Sequence, residues 1–198
     1  MKVLFPFIAL CCLLLTSLLR RSTNIHEQKR AKFWEREREA NNTRKKNIDN
    51  LDYITIPYEK LPLIDNPSEK IASYQKQILL LKGQRIINLG GISNTDLMLT
   101  YGAANLTALS EYDENYTLMV TTFAKWAAAL LEEQYTDEAQ SLLETAVDMD
   151  CVSTAIFTTL AQIYADKGLD KKSYLTEHIN ASSSPVKQFI LEKINSIL

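Results

Sequence analysis

Between Phe123 and Pro185 the chain repeats the placement of its large and small residues at one fixed interval. Phe123, Trp126, Ala127, Leu130, Ala139, Leu143, Ala146 and Cys151 are followed 34 residues later by Phe157, Leu160, Ala161, Tyr164, Ser173, Glu177, Asn180 and Pro185, and Thr136 maps onto Asp170 by the same shift. Within each copy the first four positions fall at i, i+3, i+4 and i+7, the spacing of one helix face. Small residues at Ala127, Ala139, Ala146, Ala161 and Ser173 let helices approach closely, while Trp126, Leu130, Leu143 and Tyr164 fill the space between. A further shift puts Leu191, Ile194 and Leu198 on a third helix after Pro185, which covers the open edge of the array.

The interval and residue types resemble the tetratricopeptide repeat, a two-helix unit with small residues at its crossings and a proline after the second helix. The match covers about 75 residues. It departs from the pattern at Glu177 and Asn180, where apolar or small residues are usual, and at Gln134, where the second copy has Gly168. The resemblance implies a concave surface carried by first-type helices: Thr121, Ala124, Lys125, Ala128, Leu131 and Glu132 in one copy, and Ala155, Thr158, Thr159, Gln162, Ala165 and Asp166 in the next. Thr121, Lys125, Ala128, Thr158, Gln162 and Asp166 are the partner-binding candidates. The family's carboxylate-gripping subset uses Lys and Asn where this chain has Ala124 and Ala128, so that activity is not expected. Scaffold or adaptor work for a protein or peptide partner is what the resemblance implies, with a structural subunit of a larger membrane complex as the alternative.

Two repeats bury too little by themselves, and the preceding residues are expected to complete the body. Ser68 after Pro67 caps a helix through about Lys82, with Ile71, Tyr74, Ile78 and Leu81 on one face and Gly83 as the stop. Ser93 to Asp96 opens a short helix to Tyr101. Residues 48–67 carry Pro57, Pro62 and Pro67, which exclude helix, and alternating apolar residues that suit an extended strip. That strip lies either against the helical body or against a partner. The expected divisions are therefore 1–22, 23–47, 48–67, 68–109 and 110–198.

At the other end an apolar run from Val3 to Leu19 meets Arg20 and Arg21. At helical rise it spans about 25 Å, close to a bilayer core. It lacks the small-residue exit of a cleaved signal peptide, and Leu10 before Cys11 and Cys12 does not suit a lipoprotein. The sequence thus predicts an all-α chain with a single N-terminal transmembrane helix, a charged juxtamembrane helix and helical hairpins. Arg20 to Lys46 holds ten basic and four acidic residues, and the remainder to Leu198 eleven and twenty. The positive-inside rule then places the C-terminal domain in the cytoplasm at the cell membrane. In the 23–47 helix Phe33 and Trp34 are membrane-interface candidates with Arg20 and Arg21, for contact with anionic headgroups; a solvated stalk is the other reading.

The chemistry-bearing inventory is short. Cys151 is the one cysteine beyond the apolar run, so no internal disulfide is expected there. His26 and His178 have no ligand spacing to Cys or to each other, and no nucleophile elbow or phosphate-binding glycine motif occurs. No catalysis, metal or cofactor is expected. Glutamates interleaved with the basic run, and an acidic remainder, argue against nucleic acid. The acidic body instead suits a basic or amphipathic partner segment. Asn41, Asn105, Asn115 and Asn180 each open an N-x-[ST] sequon, which matters only outside the cytoplasm.

Overall fold

A computed structural model describes residues 26–182 and 184–198. These residues are helical and contain no strand, and they divide into two units: one from 26–47 with Ser93–Leu106, the other from Ile48–Ile92 with Thr107–Leu198.

The expectation of a transmembrane helix is corrected. No helix among the described residues is long and apolar enough to cross a membrane. The two long ones show why. Helix α1 (26–42) is studded with Lys29, Arg30, Lys32, Glu35, Arg36, Glu37, Arg38 and Glu39, and α4 (Leu106–Glu132) carries Glu111, Asp113, Glu114, Lys125 and Glu132 along its 27 residues. Charges so placed cannot all avoid hydrocarbon. The segment read as the span, residues 1–22, lies outside the described residues.

In the first unit α1 stops at residue 42, five residues short of the expected 47, where Asn41 and Thr43 side chains bond back to the Glu37 and Glu39 carbonyls. It packs with α3 (Asn94–Tyr101), whose N-cap Ser93 accepts from the Asp96 N–H. Arg36 pairs with Asp96 and Thr95 donates to Glu37. Ala40, Leu97 and Met98 are buried. The joint is polar: Asn105, 1% exposed, donates both amide hydrogens, to Lys46 O at 2.8 Å and Tyr101 O at 2.7 Å. Its sequon nitrogen is therefore occupied and enclosed in the folded unit.

The second unit is built on α2 (Glu69–Leu80), α4, α5 (Thr136–Asp148), α6 (Thr154–Asp166), α7 (Lys172–Ala181) and α8 (Lys187–Ile197). The 34-residue relation survives in detail where α4 turns into α5 and α6 into α7. Tyr135 N–H donates to Leu130 O and Leu169 N–H to Tyr164 O, both at 2.8 Å, and α4 and α6 end at Glu132 and Asp166. Phe123, Trp126, Ala127 and Leu130 are buried at 1% exposure or less, as are Phe157, Leu160, Ala161 and Tyr164. Two first-type helices thus present the same face inward.

The second-type helices do not repeat. In α5 the buried face is Ala139, Leu142, Leu143 and Ala146. By strict shift α7 should bury Ser173, Glu177 and Asn180, yet all three are exposed, and Leu175 and Ile179 face the core instead. The reason is solvation. A Glu and an Asn cannot be buried unpartnered, so α7 begins two residues later than Asp170 and turns its two aliphatic residues inward. The cap helix α8 packs against α6 and α7. It buries Ile190 and Ile194, while Leu191 and Leu198 are half-buried.

Helix α2 covers the front of α4 in antiparallel sense: Gln77 meets Thr122, while Ser68 and Lys70 meet Glu133 and Glu132. Residues 48–67 contain no α-helix: they run through a turn at 49–50, one 3-10 turn at Tyr58–Lys60 and a bend at 65–66, where Asn66 has φ 55°, and the prolines permit the 3-10 turn because its short span needs no α-type ladder. Ile56 and Leu61 join the same core as α2. The strand-like segment after α2 is pinned by Ile86 O accepting from Ile54 N–H, and by Leu89 N–H donating to Asp113 Oδ1 at 2.8 Å.

Candidate functional site

Two clefts adjoin on the second unit. The first, about 480 Å³, lies between α4 and the start of α6 and is lined by Tyr116, Thr117, Val120, Thr121, Ala124, Lys125, Val152, Ser153 and Ala155. The α4 contribution is one stripe at i, i+4 and i+8 through Thr117, Thr121 and Lys125, beside Tyr116, Val120 and Ala124, so a single helix face supplies most of the wall. Its floor is apolar because the small side chains of Ala124 and Ala155 leave room rather than filling it.

The second cleft, about 450 Å³, is lined by Asn88, Gly90, Gly91, Tyr116, Asp150, Val152, Ala181, Ser182, Ser184 and Pro185. Tyr116 and Val152 belong to both, forming the ridge between them. Tyr116 is only 9% exposed, and its hydroxyl donates to Asp150 O at 3.4 Å. Burial pushes its pKa up to about 12. Beside it the Cys151 thiol is fully buried, and its pKa is likewise raised to about 12 by burial. Such a thiol is protonated and unreactive at neutral pH.

Of the partner-binding candidates, the structure brings Thr121 and Lys125 into the first cleft, with Ala124 and Ala155. Ala128, Thr158, Gln162 and Asp166 do not line it. Ala128 is exposed one turn further along α4; Thr158 spends its hydroxyl on Thr154 O at 2.8 Å; Gln162 donates to Asp166 at 2.8 Å. Lys125 is exposed and has no ion-pair partner among the described residues.

The loop side of both clefts was beyond sequence reasoning. Val152, Ser153 and Asn88 are brought to α4 by the course of the chain, and nothing in their local sequence marks them. Of the membrane-interface candidates, Arg20 and Arg21 lie outside the described residues. Phe33 and Trp34 are 53% and 59% exposed and meet edge to face at 5.3 Å. They belong to a helix that, like every helix among the described residues, is not long and apolar enough to cross a membrane.

A polar cluster joins α5, α6 and α7. Tyr164 donates to Glu144 at 2.8 Å, Tyr174 to Asp148 at 2.7 Å, and His178 Nε2 lies 3.7 Å from Asp148. Burial, then the bonds to these carboxylates, raises both tyrosine pKa values. These bonds link α5 to α6 and α7. No group of three or more His, Cys, Asp or Glu is placed to hold a metal ion among the described residues. No family model matches the chain, and neither a curated protein nor a solved structure matches it.

Proposed function

We propose that this chain is a helical adaptor that binds a segment of a protein partner in the cleft between α4 and α6, without catalysis. The observation that carries the reading is the composition of that cleft: an apolar floor from Val120, Ala124, Val152 and Ala155, rimmed by the hydroxyls of Thr117, Thr121 and Ser153. Concave, mostly apolar surfaces with a few polar groups are built to hold a ligand rather than to stabilise the fold. Its lining offers no carboxylate, thiol or imidazole, which supports binding over chemistry. The resemblance of the two stacked hairpins to tetratricopeptide repeats points the same way.

The test uses Ala155→Trp in the full-length chain. Ala155 is exposed, so the indole enters the cleft without displacing core. A photo-crosslinker at Thr121 should capture a partner in the parent and lose it in the Trp variant, with unchanged thermal melting. Capture that persists at equal yield would remove the cleft from the interaction.

A further inference from the structure

We propose that the two adjoining clefts form one polarised groove, selecting an extended peptide segment with an acidic residue at one end and a basic residue about four or five positions away. The inference rests on the docking reading above and goes beyond it by naming the ligand's charge pattern.

Each cleft has one charged side chain, and the two are opposite. Lys125 stands in the first and Asp150 in the second, and neither has an ion-pair partner among the described residues. Backbone dipoles reinforce each sign. The first cleft contains the N-terminus of α6, whose N-cap Ser153 makes no side-chain capping bond, so unsatisfied N–H groups face an incoming anion. The second is lined at Ala181 and Ser182 by the C-terminus of α7, and at Asp150 by the second residue past α5. Carbonyl-rich helix ends favour a cation. Lys187 already uses that preference, donating to Asn180 O at 2.7 Å.

The spacing follows from the helix. Lys125 and Tyr116 are nine residues apart on α4, about 13 Å at 1.5 Å per residue. The Tyr116 hydroxyl then donates to the main-chain carbonyl of Asp150 at 3.4 Å. An extended peptide covers this at about 3.3 Å per residue in four or five residues. Between the charges the ligand crosses Val120, Ala124, Val152 and the Tyr116 ring, so its central residues are apolar.

The probe is a fluorescein-labelled peptide with the core Glu-Ala-Val-Leu-Ala-Arg, compared by polarisation with cores in which Glu, Arg or both become Gln. On the full-length chain the Glu/Arg core should bind about tenfold tighter than the doubly neutral one, about threefold from each end, as partly solvated pairs give. Lys125→Gln should erase the discrimination of Glu from Gln and leave that of Arg from Gln. Asp150→Asn should do the reverse; Asn tolerates the φ of 57° at this position. Four peptides that bind measurably but equally would overturn the polarised groove and leave the docking reading standing. Failure of all four to bind would overturn both.

Discussion

Gln134 and Gly168 hold the same left-handed backbone conformation, φ 67° and 65°, each closing a hairpin of the second unit two residues past its first helix. In both the following N–H reaches back to a carbonyl of that helix, Leu130 or Tyr164, at 2.8 Å. The bonded turn is the same although only one copy has the residue suited to it.

That asymmetry predicts opposite effects of substitution. A Cβ added at Gly168 meets nothing within 4 Å, so Gly168→Ala should cost only the backbone term, about 1 kcal/mol. Gln134→Gly should be neutral to stabilising, by up to about 1 kcal/mol. Urea melts of both variants check the pair, and equal losses would contradict a shared turn conformation.

The matched inward faces predict matched damage. Trp126→Ala should cost about 3 to 5 kcal/mol and leave a cavity, since Trp126 is fully buried. Ala127→Trp and Ala161→Trp should each cost about 1 to 3 kcal/mol or more by overpacking. A neutral thermal melt for either alanine would mean that it does not face a helix crossing.

Within the first unit, Gly102 has φ 91°, and a Cβ there would sit 2.3 Å from the Arg44 carbonyl oxygen. The clash is with backbone, which has nowhere to rotate. Gly102→Ala should cost about 2 kcal/mol or more. Hydrogen exchange at Lys46 N–H, which donates to Tyr101 O at 2.9 Å, should accelerate first.

Alkali should unfold the second unit through its buried acids. Cys151 and Tyr116 both have folded pKa values raised to about 12, from 9.0 and 10.0. The folded state therefore keeps protons that the unfolded state releases. Their contribution is complete below pH 9 and is lost progressively as pH rises toward 12. Below pH 9, peptide mapping after alkylation should find Cys151 unmodified until denaturant is added, and rapid modification in native buffer would contradict its burial.

Which residues form helix was legible because periodicity is a local property. The i, i+3, i+4, i+7 faces of α4 and α6, the Ser68 cap and the proline-interrupted strip could all be read without knowing what they touch. The α7 face could not, since the residue 34 positions on from Leu143 is Glu177, and a charged side chain overrides a positional analogy once burial is at stake. Thr121 and Lys125 were named only through the concave positions that the repeat resemblance implies, and both line the first cleft, whereas Ala128, named in the same way, does not. Val152, Ser153 and Asp150 were not legible, because a loop's placement depends on where its flanking helices pack.

The membrane reading came from an apolar run at residues 3–19, and the helices described beyond it are too charged or too short to carry that role. By itself the amino-acid order determined that this chain would form helices, and that two of them would present equivalent faces. Only the tertiary structure decided how α7 rotates, which loop closes the clefts, and that opposite helix ends meet at Tyr116. Helix formation answers to neighbours three and four residues away, whereas a groove is made by residues far apart in the chain whose meeting depends on the packing of everything between them.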